Sequence, residues 1–389
     1  MNAPERFEFK KKYRVLALWV MGFGASAVTL GFLRDPVRTW GNLLVNNFYF
    51  LSLALAGLVF IAVLSLTSAG WSAGIRRIPE AMTTFLPIAG VLMLTLYFGR
   101  HSLYPWSDAE ALHDPILAGK APWLNAPFFF FRMVLFIGVW VFFALRIRRA
   151  SLAQDSVGGG LVEHRRILRY SAGFIPVFAV TFSLASFDWI MSLEPHWYST
   201  IFAVYNFSGL FLHGVAFVTL VVILLRERGY LDGIVNENHL HDLSKILFAF
   251  SIFWASMWVN QYMLIWYTNV PEETVYYVLR TDRDWNWLFI LNLVLNWGVP
   301  FFILLPRASK RSLSVLKRVC IALLVGHWID VYVMVMPPIL KNRVIGPLEI
   351  LIAMGYGALF VYVTARALSR APLVARNDLY LEESLHHLQ

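Results

Sequence analysis

Ten stretches of about twenty mostly apolar residues follow one another along the chain, each closed by charge, proline or loop composition, and a helix needs that length to cross a hydrocarbon core about 30 Å thick. They cover 13–33, 48–67, 81–98, 127–145, 170–191, 199–225, 245–268, 285–305, 319–340 and 347–367. The pattern predicts an all-α integral membrane protein of ten transmembrane helices, with a tail at 1–12, a membrane domain at 13–367 and a second tail at 368–389. Composition agrees: 58% of residues are hydrophobic and 15% charged, against roughly 25% charged in a soluble domain. A soluble, disordered or collagen-like chain is excluded, and the single cysteine, Cys320, excludes a disulfide scaffold.

Counting residues at span ends with the adjoining loop, the 33 Lys and Arg sort to 24 on the side of the two tails and even-numbered loops and 8 on the other, with Arg132 inside the fourth span. The positive-inside rule then places both termini in the cytoplasm. Because the charges punctuate apolar runs instead of lining one face, the net charge of +9 does not support nucleic-acid binding. Lys10, Lys11 and Lys12 precede a run containing Ala25-Ser26-Ala27, as in a cleavable signal. That run reaches spanning length by Leu33, so it reads as a signal anchor. The outer loop 99–126 spaces Asp108, Glu110, His113 and Asp114 as on a short surface helix. The inner loop 146–169 holds Gly158-Gly159-Gly160, a flexible turn between basic clusters with no strand to make it a phosphate-binding loop.

An ionisable side chain within a span costs about 2.5 to 3.5 kcal/mol on insertion scales, so each marks a candidate site. In the ninth span His327 and Asp330 stand one turn apart on one face and read either as a proton relay or as a satisfied pair fixing helix packing. His213 near the centre of the sixth span, with Asn292 and Asn296 on one face of the eighth, extends a polar path from the cytoplasm. At the end of the fifth span Pro195 stops the helix. Asp188, Glu194 and His196 can then converge at the outer edge among Phe187, Trp189, Trp197 and Tyr198. Two carboxylates and an imidazole beside flat aromatic walls suit quinol oxidation, offering proton acceptors for both hydroxyls and stacking for the ring. An aromatic belt with a polar helix end is the plainer reading. Arg132 at that depth wants a carboxylate, with Asp188 the partner by depth, as a structural ion pair; Glu349 reads as interfacial. His213 and His327 are the midplane histidines, but no helix spaces two histidines for two haems. No haem or iron–sulfur ligation is expected of this chain, and Cys320 reads as a packing residue.

The segment Ser186-Phe187-Asp188-Trp189-Ile190-Met191-Ser192-Leu193-Glu194-Pro195-His196-Trp197-Tyr198-Ser199-Thr200-Ile201-Phe202 resembles the central signature of the F-subunit (ActF) family of bacterial alternative complex III, quinol:cytochrome c oxidoreductases unrelated to cytochrome bc complexes. Four further segments agree: Asn46-Asn47-Phe48-Tyr49-Phe50-Leu51; Ala69-Gly70-Trp71-Ser72 leading to Arg76-Arg77-Ile78-Pro79-Glu80-Ala81; Leu124-Asn125-Ala126-Pro127-Phe128-Phe129 with Arg132; and Gly326-His327-Trp328-Ile329-Asp330-Val331-Tyr332. The likeness runs from the second span to the ninth, and the Glu-Pro-His-Trp hairpin is its most specific part.

That resemblance implies a subunit of a bacterial inner membrane, distantly related to the polysulfide-reductase (NrfD-like) family, with helices 2–5 and 6–9 forming two four-helix bundles flanked by helices 1 and 10. It implies quinol, menaquinol or ubiquinol, as substrate and no cofactor held by this chain. The partners it implies are a related ten-helix C subunit, an iron–sulfur protein, multihaem and monohaem cytochromes c carrying haem c, and small membrane subunits. Asp188, Glu194 and His196 would serve a quinol-facing pocket, and His213, His327, Asp330 and Asn296 a proton path. A secondary transporter and a bare structural anchor are the competing classes. No inverted repeat and no matched pair of short, glycine-broken spans favours the transporter, and polar groups at depth weigh against the anchor.

Overall fold

The computed structural model describes residues 6–156, 160–340 and 345–388. Those residues form helices and no strand, and ten helices are long and apolar enough to cross a membrane. They are α1 (Lys11–Arg34), α2 (Pro36–Leu66), α3 (Arg77–Tyr97), α4 (Ala126–Asp155), α5 (Leu161–Leu193), α6 (Phe202–Arg226), α7 (Glu237–Thr268), α8 (Asn286–Leu304), α9 (Leu313–Val335) and α10 (Pro347–Leu368). Such a set marks a multi-pass membrane protein.

The number of spans agrees with the sequence reading, and the departures lie at their ends. α2 starts at Pro36 rather than at 48, because the Asp35 side chain accepts from Arg38 N at 3.2 Å and Pro36 takes the first helical position. Only Asp35 then separates α1 from α2. The expected inner loop 146–169 is likewise mostly helix, since α4 runs on to Asp155 and α5 begins at Leu161. Apolar length reports the hydrocarbon crossing, not where the helix ends. Gly158 and Gly159 of the glycine triplet lie outside the described residues.

Two spans are irregular for identifiable reasons. Pro79 and Pro87 lie in α3, which alternates α-helix at Arg77–Met82 and Leu86–Leu94 with 3₁₀ turns at Thr83–Phe85 and Thr95–Tyr97. In α8 Pro300 offers no N–H to the preceding turn, and a π turn at Val294–Gly298 absorbs the mismatch.

α2 and α6 are the most buried of the ten and pack on each other, with α9 against both. α5 also lies on this pair; α3 packs on α2 and α4, and α8 on α7 and α9. Helices in lipid gain little from apolar burial against each other, so close approach at small residues matters. A Cβ on Gly214 of α6 would sit 2.2 Å from the Ala56 Cβ of α2, and one on Gly24 of α1 would sit 2.5 Å from the Gly355 Cα of α10. Polar side chains of α2 reach its neighbours: Asn47 Nδ2 donates to the Leu92 carbonyl and Tyr356 to Asn47, while Tyr49 donates to the Leu324 carbonyl. Glu349 is fully buried rather than interfacial, gripped by Arg38 at 2.7 and 2.9 Å and by Asn42 at 2.9 Å.

After α10 the chain lies across the face that holds the start of α1, so 368–388 is no free tail. Asp378 accepts from Arg76 at 2.7 Å, Ser384 Oγ donates to the Trp71 carbonyl, and His387 faces Asp242 at 2.6 Å. Beneath it buried Arg77 binds Glu80 at 2.6 Å, Ser151 Oγ at 2.8 Å and Asp155. The α2–α6 contact can be tested directly. Gly214→Val should destabilise the protein by about 1 to 3 kcal/mol through overpacking, read as a lower unfolding midpoint in mixed micelles; an unchanged midpoint would contradict the contact.

Candidate functional site

Asp330 is 1% exposed in the body of α9. Its carboxylate accepts from three other helices. Asn292 Nδ2 of α8 reaches Oδ1 at 2.7 Å, Tyr205 of α6 donates its hydroxyl to the same oxygen, and Trp254 Nε1 of α7 reaches Oδ2 at 3.0 Å. A carboxylate removed from water needs such donors, because leaving it unpaired would be far costlier than burying a neutral group. Asn296 extends the set, giving Nδ2 to Asn292 Oδ1 at 2.6 Å. The α8 π turn, which contains Asn296, lies directly above this contact.

One turn before Asp330, His327 places Nδ1 3.4 Å from Oδ2, at ion-pair range. The imidazole packs on bare backbone: a Cβ on Gly209 would fall 2.3 Å from His327 Cε1. His213 stacks on His327, with centroids 4.2 Å apart and planes 24° apart, and Tyr49 lies beside both. His213 Nδ1 lies 2.7 Å from the Gly209 carbonyl. His213 Nε2, Asn296 Oδ1 and Gln261 Oε1 have no hydrogen-bond partner among the described residues. No group of three or more His, Cys, Asp or Glu side chains gathers as a metal site among those residues.

Asp330 lines a narrow cleft together with Tyr205, Trp258, Tyr276, Tyr277 and Phe289. The cleft is also lined by Arg280, on the short helix Pro271–Thr281 that joins α7 to α8. Arg280 is 1% exposed and lies 3.3 Å over the Tyr276 ring. It donates to the carbonyls of Val333 and Met334 and to Glu194 Oε2 at 2.6 Å. Burial pulls its pKa down, but the Glu194 carboxylate more than offsets this, so Arg280 is held above the ordinary arginine value. Tyr276 stacks on Trp197 at 4.0 Å.

Asp188, Glu194 and His196 therefore do not form one cluster; each has its own partner. Asp188, 1% exposed, is held by both arms of Arg132 at 2.7 and 3.0 Å and by Trp123 Nε1 at 2.8 Å, with Arg132 also lying over the Trp123 and Phe128 rings. Glu194 belongs to Arg280. His196 is exposed and lies 2.7 Å from Asp114 in the outer loop. The reason is local. Asp114 caps the helix Pro115–Lys120 and stands where His196 can reach it, while the fork of Arg132 fits a carboxylate bidentately and consumes Asp188. Arg280, Tyr205 and Trp254 were missed by sequence reasoning. The signal for Tyr205 and Trp254 was indirect, namely that a buried Asp330 demands several donors; for Arg280 it lay in Glu194, which needs a cationic partner.

No protein-family model and no curated protein matches the chain.

Two tests follow from the geometry. Arg132→Met leaves a buried unpaired carboxylate and should destabilise by about 3 to 5 kcal/mol, with Arg132→Met/Asp188→Asn recovering part of the loss in a denaturation series; a double variant no better than the single would show that the pair is not the cause. The hydrogen bond to His196, and then those from the Ile116 and Leu117 amides, hold Asp114 below the usual carboxylate range. A depressed carboxyl pKa stabilises above the unfolded value and loses that effect as pH falls through the depressed one. Amide exchange at Ile116 and Leu117 should accelerate at acid pH, and His196→Ala should move that transition upward; an unmoved transition counts against the contact.

Proposed function

We propose that this chain is an integral membrane subunit of a respiratory quinol:cytochrome c oxidoreductase in a bacterial inner membrane, providing a proton-conducting path coupled to electron transfer. The observation that carries the reading is Asp330, a carboxylate at membrane depth held by three helices and faced by the His327–His213 stack. Ionisable groups so placed are rare and mark a candidate functional site, proton relays among them. Asp330 accepts a proton from the side of His327, the Tyr205 hydroxyl and Asn292 amide rearrange around the neutral acid, and the proton leaves along the aromatic cleft towards Glu194. Arg280, paired with Glu194, stands at the cleft's outer end.

The wider assignment rests on residue resemblance to alternative complex III. Under it α2–α5 and α6–α9 are two four-helix bundles flanked by α1 and α10, and both termini are cytoplasmic, as the loop charges favour. Electron carriers then belong to partners: an iron–sulfur protein, cytochromes c carrying haem c, a related ten-helix C subunit and small membrane subunits. A quinol-facing contribution has narrower support, because Asp188 and His196 are engaged elsewhere, leaving Glu194 beside Trp197 and Tyr276 as its remaining element. The irregular spans α3 and α8 are the second helix of one bundle and the third of the other, so they are not the matched broken pair of a transporter.

Purification of the tagged chain from its host membrane should bring c-type haem with it; a protein stable alone and free of c-type haem would refute the assignment. Within the complex, Asp330→Asn should lower protons moved per electron about tenfold while quinol oxidation falls less. Unchanged stoichiometry in that variant would defeat the relay.

A further inference from the structure

A guanidinium drawn partly out of water needs an anion or several acceptors, because left unpaired it is costly to bury. Arg148, in the last turns of α4, is half-buried and forms no hydrogen bond or ion pair with any described residue. It lines a narrow crevice between α3, α4 and the end of α10, together with Arg77, Glu80, Leu152, Leu368 and Pro372.

The acids nearby are committed elsewhere. Glu80 Oε1 accepts from Arg76 Nε at 3.1 Å and from Ser151 Oγ, and Oε2 accepts from Arg77 Nη1 at 2.6 Å. Asp155 is bound by Arg77, and Asp378 by Arg76 at 2.7 Å. Through space Glu80 attracts Arg148, while Arg77 and Arg370 both repel it. Arg148 thus feels two like charges against one opposite charge, and the described residues offer its donors no acceptor.

Its level in the membrane identifies the missing partner. The apolar run of α4 ends at Leu145, α10 ends at Leu368, and Arg146, Arg149 and Arg370 are exposed around Arg148. Arginines just beyond the ends of two spans stand at the depth of lipid headgroups, where phosphate is the abundant anion. A planar guanidinium also matches two phosphate oxygens at once. We propose that the α3–α4–α10 crevice is a phosphate-oxyanion site, with Arg148 as its principal donor and Arg370 at its rim. The oxyanion is the phosphodiester of an anionic phospholipid or free phosphate, and the site does not depend on the respiratory reading.

The test uses the full chain in phosphatidylcholine nanodiscs and reads the thermal unfolding midpoint as phosphatidylglycerol is added to the lipid or inorganic phosphate to the buffer, at constant ionic strength. The midpoint should rise and saturate; a rise with phosphatidylglycerol alone assigns the headgroup, and a rise with inorganic phosphate assigns the free anion. Arg148→Gln should raise the half-saturating amount about fivefold. Arg149→Gln, which removes the same charge from an exposed neighbour, should raise it far less. Without either addition Arg148→Gln should unfold no earlier than the unaltered chain, since it gives up no bond within the protein. Equal shifts in the two variants would reduce the effect to surface charge and overturn the site, as would a midpoint that responds to neither addition. A lower midpoint of Arg148→Gln in phosphatidylcholine alone would show that the guanidinium serves packing, and would overturn it as well.

Discussion

Burying one carboxylate in the middle of a helix bundle constrains everything packed around it. Asp330 is satisfied only if α6, α7 and α8 each present a donor at one depth and one azimuth, so its hydrogen bonds fix the rotation of three helices relative to α9. Apolar contacts alone do not do this in lipid, where sliding one leucine past another changes little. The glycines follow from the same requirement: Gly209 lets His327 lie on the α6 backbone, and a Cβ on Gly326 would fall 3.0 Å from Asn296 Oδ1. The π turn in α8 has a related logic, since it relieves the proline mismatch in the stretch that brings Asn292 and Asn296 to the carboxylate.

A second polar frame holds the other half. Along α2, Asn42 and Arg38 secure Glu349 on α10, Asn46 accepts from Trp328 on α9, and Asn47 joins α3 to α10. α2 therefore presents polar atoms in several directions, which explains why a span this apolar is buried on nearly all sides. Near the terminal face Arg77, Glu80, Ser151 and Asp155 do the same for α3 and α4. Each frame is satisfied by atoms far apart in sequence, so loss of one member leaves a buried group unpaired.

Ten spans, and the burial of His213, His327, Asp330 and Asn296, were legible because hydrocarbon thickness and the penalty on charge are one-dimensional constraints that act along the chain. The Arg132–Asp188 contact was also within reach, since depth alone nominates partners. Azimuth and helix extension were not legible. Nothing in periodicity distinguishes an Asp188 that faces Arg132 from one that faces Glu194, and the charged residues 34–47 read as a loop because apolar length was taken for helix length. Asp35-Pro36 was the available correction, an N-cap followed by proline at the first helical position.

The separation of Asp188, Glu194 and His196 bears on where chemistry can occur. Each of the first two is neutralised by its own arginine, and both arginines are buried with several further bonds. Removing either carboxylate would strand a buried guanidinium. Asp330 differs in that its donors are a phenol, an amide and an indole, all neutral, and the group facing it at ion-pair range is the His327 imidazole. Asp330 therefore stands in no ion pair with a permanent charge among the described residues, whereas Asp188, Glu194 and Glu349 each face an arginine.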